Sequence, residues 1–190
     1  MKKILFVVNT LGRAGAETAL LELLRRLDSS EYEVSLYVIL AQGEMIGELP
    51  SHVKLKNRRF NSQSVMTGKG KRAIAVTICS SFFRNGGYPG KIHSIVSNFA
   101  DMERTGKIQT EKLLWRMLSD GAERLNEVFD LAVAYLEGAS AYYVADHVKA
   151  RHKVGFIHID YRSAGYTRRM DRDCFRSFDR IFGVSDEVRE

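Results

Sequence analysis

The 190-residue sequence is poor in the residues that define several protein classes. Its 2 Cys, Cys79 and Cys174, exclude the disulfide framework of a small secreted domain, and 2 Pro with 15 Gly exclude a collagen-like or linker-dominated chain. No apolar run approaches the roughly 20 residues of a membrane-spanning helix. The apolar run after Lys2 and Lys3 is also shorter than the roughly 7–15 residues of a secretory signal. We therefore predict a cytoplasmic protein with reduced thiols.

Charge is distributed unevenly along the chain, which has a net charge of +6. Residues 1–50 carry a net −2 and residues 111–190 a net −1, whereas residues 51–110 carry eleven Lys and Arg against two acidic residues, a net +9. No acidic residue interrupts the cations Lys54, Lys56, Arg58, Arg59, Lys69, Lys71 and Arg72. Such a run is either a solvated surface or a patch that binds phosphate, an anionic polymer, nucleic acid or anionic lipid headgroups.

The first forty residues predict a βαβ unit. Residues 3–9 are continuously apolar up to Asn9, as expected of a strand buried on both faces, residues 16–27 have helical spacing, and residues 33–40 form a second strand. Alternation returns with strands at 130–136, 153–159 and 180–184 and helices at 140–148 and 168–178. We predict an α/β, Rossmann-like doubly wound fold, with a mostly parallel sheet and helices on both faces.

The middle and the end of the chain are less regular. Residues 53–55 predict a short strand, 73–83 fit either a helix or a strand, and 92–102 and 111–128 predict helices. We thus expect a basic, helical insertion at about 54–110. Ser185 is predicted to cap a further helix with Asp186 and Glu187 in its first turn, so we expect the chain to continue beyond Glu190.

Candidate binding residues follow the strands, where doubly wound folds bind ligands. Gly12, Arg13 and Gly15 follow the first strand, and glycine there lets a ligand approach the backbone and the helix N-terminus. The full G-x-G-x-x-G pattern is absent and no acidic residue closes the second strand, which counts against a nicotinamide dehydrogenase. Glu17 would repel a phosphate, so this loop fits sugar hydroxyls as well as phosphates.

Two further candidates follow later strands. Glu137 and Gly138 come after the strand that ends at Leu136, and the next strand ends in a segment that includes His158, Asp160 and Tyr161. If that segment stays extended, His158 and Asp160 lie on the same side and can bind polar substrate groups or move a proton. The spacing of the histidines matches no metal motif, and we predict no metal site.

With these motifs placed, the chain resembles the N-terminal domain of a retaining glycosyltransferase of the GT-B fold, in glycosyltransferase family four. The resemblance rests on these stretches in order: residues 3–12 (KILFVVNTLG), 14–17 (AGAE), 135–138 (YLEG), 158–160 (HID) and 178–185 (FDRIFGVS). Ala14 departs from the pattern, since family members commonly have a second glycine there.

The resemblance implies a two-domain hexosyltransferase in which residues 1–190 bind the acceptor. A donor-binding C-terminal domain, absent from these residues, would hold most of a UDP- or GDP-sugar, so this chain alone should be inactive and hold no tightly bound cofactor. Gly12 and Gly15 would face the donor phosphates or the transferred sugar, and His158, matching a family histidine that contacts that sugar, would be the catalytic residue.

The resemblance also suggests partners. The acceptor would be a glycan or a lipid-linked molecule, used in cell-surface polysaccharide synthesis. Residues 54–72 and Arg84–Lys91 would then form a patch for an anionic acceptor or for the inner face of the cell membrane, to which the protein would bind peripherally.

Two other functions stay open. A non-catalytic basic α/β module could bind nucleic acid or another anionic polymer, although the sequence has no helix-turn-helix, RRM or zinc signature and we expect no specific nucleic-acid partner. An oxidoreductase or other Rossmann-type nucleotide binder is the third possibility, against which the missing glycine fingerprint counts.

Overall fold

The protein is built on a six-stranded, all-parallel sheet. A computed structural model describes residues 1–106, 110–160, 166 and 168–185. The strands are β1 (Lys2–Val8), β2 (Tyr32–Val38), β3 (Lys54–Leu55), β4 (Val128–Ala134), β5 (Lys149–Ile157) and β6 (Arg180–Gly183). Their order across the sheet is β3-β2-β1-β4-β5-β6, the order of a doubly wound Rossmann-like sheet. The predicted fold class is therefore confirmed.

Helices cover both faces of the sheet. They are α1 (Gly15–Arg26), α2 (Gly68–Phe83), α3 (Tyr88–Thr105), α4 (Thr110–Leu113), α5 (Trp115–Asp120), α6 (Ala139–His147) and α7 (Arg168–Phe175), with a 3-10 helix at Glu44–Glu48. None of the helices in the described part of the chain has the length and apolarity needed to cross a bilayer.

Two hydrophobic cores sandwich the central strand. Leu20, Leu21 and Leu24 of α1 join Ile4, Phe6 and Val8 of β1 in one core. Leu5 and Val7 point the other way and join Tyr142 and Tyr143 of α6 in the second. Because successive side chains of a strand alternate between faces, the continuous apolar run of β1 serves both cores. The prediction of a strand buried on both sides is confirmed.

The basic middle region is largely helical. The segment 73–83, which fitted either element by sequence, lies within α2, and Thr67 caps that helix by accepting a hydrogen bond from the Gly70 N–H at 3.0 Å. Lys91 is buried at the start of α3 and its Nζ donates to the carbonyls of Ser81, Phe82 and Arg84. Lys91 thus caps α2 and contributes no charge to an exposed patch.

The long helix predicted at 111–128 is wrong. Two short helices, α4 and α5, occupy its first half, residues 121–127 are not helical, and Val128 already begins β4. Glu123 shows why: its N–H donates to the Tyr37 hydroxyl at 2.8 Å, and its carbonyl accepts from the Tyr143 hydroxyl. The single N–H of Glu123 is thus bound to a side chain of the core and does not donate within a helix.

Smaller differences concern the ends of elements. The strand predicted at 153–159 runs from Lys149 to Ile157, because β4 pairs with it from Lys149 onward. The helix predicted at 168–178 ends at Phe175. The helix predicted beyond Ser185, with Asp186 and Glu187, lies outside the described residues.

Candidate functional site: a crevice between β1 and β4

The order of the strands creates a crevice at the carboxyl ends of β1 and β4. From β1 the chain continues toward β2 and β3 on one side of the sheet, and from β4 it continues toward β5 and β6 on the other side. The loops that follow β1 and β4 therefore lead in opposite directions. Asn9 joins the two loops: its Nδ2 donates to the Glu137 carbonyl at 3.0 Å, and its Oδ1 accepts from the Ser140 N–H at 2.9 Å. One side chain thus fixes the walls of the crevice.

The loop after β1 contains the predicted residues Gly12, Arg13 and Gly15. Gly12 is buried, and neither it nor Gly15 has a positive φ, so backbone strain does not demand glycine at either position. A Cβ built on Gly15 would meet nothing within 4 Å, so the start of α1 is open. The Arg13 side chain points to the surface and pairs with Glu48 at 3.3 Å.

Two carboxylates surround this loop. Glu17 is 7% exposed and accepts a hydrogen bond from the Thr10 hydroxyl at 3.2 Å. Glu44 accepts from the Arg13 N–H through Oε1 at 3.4 Å, while its Oε2 is buried without a hydrogen-bond partner among the described residues. Carboxylates repel phosphate and accept hydrogen bonds from hydroxyl groups. The loop is therefore suited to a neutral, hydroxyl-rich ligand.

The loop after β4 holds Glu137 and Gly138. Glu137 is buried, and its Oε2 accepts a hydrogen bond from the His158 N–H at 3.0 Å, which ties the end of β4 to the end of β5. Gly138 has φ +81, and a Cβ there would lie 3.2 Å from Trp115 Cδ1 and 3.0 Å from the Tyr166 hydroxyl. The backbone conformation at this position favours glycine, and a Cβ there would also be tightly packed.

The structure brings His158 to the same edge of the sheet. Its ring lies 5.2 Å from the ring of Tyr135, and its buried Nε2 has no hydrogen-bond partner among the described residues. Burial raises the pKa of Tyr135 above its ordinary value. Asp160 is exposed, and Tyr161 lies outside the described residues. Since β5 ends at Ile157, a shared side for His158 and Asp160 stays a prediction.

No protein-family model, curated protein or solved structure matches this chain. The fold and the chemistry of the side chains are therefore the basis on which we propose a function.

The seven predicted cations do not form one patch. Three of them pair with carboxylates: Lys54 with Glu33 at 2.8 Å, Lys56 with Glu127 at 2.7 Å and Arg58 with Glu123 at 3.9 Å. Lys71 is exposed on α2, and Arg59, Lys69 and Arg72 line one cavity. Of the seven cations, three thus have a carboxylate partner, and the other four have none among the described residues.

One group of side chains could supply metal ligands among the described residues. The ligand atoms of Asp120, Asp146 and His147 all lie within 4.8 Å of one another. His147 is hydrogen-bonded to Asp120 at 2.9 Å, and Asp146 pairs with Arg116 at 3.2 Å. His147 ends α6 whereas the crevice lies at the start of that helix, roughly 13 Å away along its axis. We assign no function to this group.

Sequence reasoning missed Asn9 and Glu44 as site residues. Asn9 interrupts the apolar run at the end of β1, and a polar residue in that position was a usable signal. Glu44 had no such signal, because its place beside Gly12 depends on the 3-10 helix folding back onto the first loop, where the Met45 N–H donates to the Leu11 carbonyl at 3.1 Å.

Proposed function

We propose that this chain is the acceptor-side domain of a glycosyltransferase. The transferase would move a hexose from a UDP- or GDP-sugar to a glycan or lipid-linked acceptor, with retention of configuration and with a separate domain holding most of the donor. The observation that carries the proposal is the polar lining of the crevice between β1 and β4. Glu17, Glu44 and Glu137 lie in or beside the loops that form its walls, and Glu44 Oε2 and His158 Nε2 are buried without a partner among the described residues.

This lining fits a sugar better than a dinucleotide. A dinucleotide site places pyrophosphate at the N-terminus of the first helix, where this chain has Glu17 and, nearby, Glu44. It also places an acidic residue at the end of the second strand for the ribose, where this chain has Leu40, Ala41 and Gln42.

Each crevice residue has a role in the proposed reaction. The Glu44 carboxylate would accept hydrogen bonds from sugar hydroxyls, which orients the acceptor at the mouth of the crevice. His158 Nε2 would bond to a hydroxyl of the transferred sugar, and the Tyr135 ring beside it would hold the imidazole plane. Glu137 acts on His158 through the backbone N–H, so it is a positioning residue.

Saturation-transfer NMR with the 190-residue chain and a panel of methyl hexosides and oligosaccharides tests the sugar site. We expect signal transfer to at least one glycoside, and the dissociation constant titrated by that signal should be about tenfold larger in His158→Ala, the effect of removing one strong polar contact. His152→Ala is the matched control, because that histidine is on β5 with a 71% exposed side chain. An absence of transfer to every glycoside, or equal losses in both variants, would refute the proposal.

A second feature supports a membrane surface as a partner. Val76 and Phe83 of α2 and Ile92, Val96 and Phe99 of α3 are exposed, and Val96 is 61% exposed. The spacing of the α3 residues places them on one helix face, and the Phe83 and Tyr88 rings, 6.2 Å apart, join the two helices. We propose that this face binds the anionic inner surface of the cell membrane, since the region around it is strongly basic.

Vesicle cosedimentation tests the membrane partner. We expect binding to vesicles that contain phosphatidylglycerol, weakened by salt and lost in Val96→Asp. Val128→Asp serves as the control, because Val128 is a 59% exposed valine at the start of β4, outside the two helices. Binding that is indifferent to both anionic lipid and salt would contradict this part of the proposal.

A further inference from the structure

A cavity beside the crevice concentrates positive charge. It has a volume of about 490 Å³ and lies between α2 and the segments that follow β2 and β3. Arg59, Lys69 and Arg72 line it, together with Ala41, Phe60 and Val76. The cavity is wide open to solvent, and its lining combines apolar side chains with a few charged groups.

The three cations of the cavity are uncompensated. No side-chain hydrogen bond or ion pair within the part of the chain that the structure describes involves Arg59, Lys69 or Arg72, whereas the neighbouring Lys54, Lys56 and Arg58 each have a carboxylate partner. The difference is informative because the six cations are close in sequence. Lys54, Lys56 and Arg58 are thus paired with carboxylates in the fold, whereas Arg59, Lys69 and Arg72 line the cavity.

The position of two of these cations on α2 adds to the positive potential. Lys69 and Arg72 lie in the first two turns of the helix, where its macrodipole is positive, and the first turn has no acidic residue. Cations are disfavoured at this end of a helix, and an anion in the cavity would remove the repulsion. The guanidinium groups of Arg59 and Arg72 offer the planar, paired donors that match phosphate oxygens.

The cavity is firmly joined to the crevice. Its wall residue Ala41 leads into Gln42, whose carbonyl accepts from the Leu11 N–H at 2.9 Å, and the Gly43 N–H donates to the carbonyl of Asn61 at 3.0 Å. A Cβ on Gly43 would lie 2.1 Å from the Leu11 oxygen, so only glycine permits this approach. Residues 41–43 therefore form one continuous segment that is part of both sites.

We propose that the cavity lined by Arg59, Lys69 and Arg72 binds a phosphate or diphosphate group. A ligand that spans both sites places its phosphate in the cavity and its sugar hydroxyls near Glu44. Read together with the proposed function, on which this step rests, the acceptor of the transferase carries a phosphate or diphosphate next to the sugar.

Calorimetric titration of the 190-residue chain with inorganic pyrophosphate tests the cavity. We expect saturable binding that weakens with salt and falls at least about tenfold in the double variant Arg59→Ala/Arg72→Ala, which loses two charge-assisted contacts. Arg58→Ala/Lys71→Ala is the matched control, since it removes the same charge from the same two segments without touching the cavity lining. We expect that control to bind within about twofold of the unmodified chain, because long-range attraction is screened by salt.

Two results would overturn the proposal. Equal weakening in both double variants would mean that pyrophosphate responds to the general charge of the surface, and an absence of saturable binding would mean that there is no site. A thermal melt of each variant excludes unfolding as the cause of a loss.

The source of the phosphate follows from competition with phosphatidylglycerol vesicles. If pyrophosphate displaces the vesicles and the cavity variant fails to bind them, a lipid headgroup occupies the cavity. If vesicle binding is unchanged in the cavity variant that has lost pyrophosphate, the ligand is a free phosphorylated molecule. Both results support the cavity as a phosphate site.

The outcomes for the cavity and for the proposed function are separable. Pyrophosphate binding without any glycoside binding would refute the sugar site and leave the cavity standing. Glycoside binding without pyrophosphate binding would do the reverse.

Discussion

At the scale of single residues, Asp171 is the most perturbed carboxyl group among the described residues. It lies in α7, is 3% exposed, and accepts a hydrogen bond from the Tyr142 hydroxyl at 2.6 Å. Burial raises its pKa from 3.8 to about 7, because removal from water disfavours the charged form. The folded protein therefore holds this proton at pH values where the unfolded chain has released it.

The contribution of Asp171 to the stability of the protein should accordingly fall as pH rises from about 4 to about 7. In this window the folded state binds more protons than the unfolded state, so each pH step costs folding free energy, amounting to roughly 1–4 kcal/mol in total. Asp171→Asn should flatten the dependence and raise stability at pH 8. Urea denaturation across the pH range measures this, with Asp173→Asn, whose side chain is 84% exposed, as the control. An unchanged slope in Asp171→Asn would contradict the assignment.

Gly138 is a second residue whose environment dictates its identity. Gly138→Ala places a Cβ against Trp115 and imposes a positive φ on alanine, so we expect a loss of about 1–3 kcal/mol in the free energy of unfolding. Gly15→Ala is the contrasting variant, because its Cβ would enter open space at the start of α1 and should leave stability unchanged or slightly raised. Thermal melts of the two variants compare their stabilities. Equal losses of stability in Gly138→Ala and Gly15→Ala would contradict the stated geometry.

At the scale of elements, Lys91 decides how α2 ends. Its ammonium group satisfies three carbonyl oxygens at 2.6–2.9 Å, which the helix leaves without partners at its C-terminus. Burial lowers the pKa of Lys91, yet the three acceptors favour the protonated form that can bind them all.

Lys91→Met should destabilise the protein by about 1–3 kcal/mol, since the methionine fills similar space but leaves the buried carbonyls unsatisfied. Lys71→Met on the exposed face of α2 should change stability little. Chemical denaturation of both variants distinguishes the two sites. A loss in Lys71→Met as large as that in Lys91→Met would mean that charge in this region, and not capping, supports the helix.

At the scale of the whole molecule, the central strands of the sheet are well protected from solvent, whereas helix α3 is poorly protected. Strand β1 is covered on both faces and hydrogen-bonded to neighbours on both sides. Among the side chains of α3 that the structure describes, by contrast, the buried ones are Lys91, Asn98 and Met102, and the largest apolar residues are mostly exposed. Local opening is easiest where few apolar groups are buried.

Hydrogen exchange followed by mass spectrometry should therefore show peptides of α3 exchanging before those of β1 and β4. Binding to anionic vesicles should slow exchange in α3 and leave β1 unchanged, because only the exposed face would be covered. Uniform exchange across the chain would contradict the gradient, and a vesicle effect centred on β1 would contradict the membrane-binding face.

The sequence by itself determined the sheet and the loops that carry the candidate site. Continuous apolar runs identify strands buried on two faces, and in a parallel sheet all strand ends lie at one edge, so Gly12, Glu137 and His158 were placed at that edge before any coordinates. The basic character of residues 51–110 was also evident from the sequence.

Only the tertiary structure decided what those residues do to one another. The helix predicted at 111–128 ends early because Tyr37 and Tyr143 bind the backbone of Glu123, a long-range contact with no local signature. Seven cations of similar appearance separate into compensated and uncompensated groups because carboxylates from distant segments reach only some of them. Local sequence patterns indicate which side chains will be buried in the core. The pairing of charges depends instead on which distant segments the fold brings into contact.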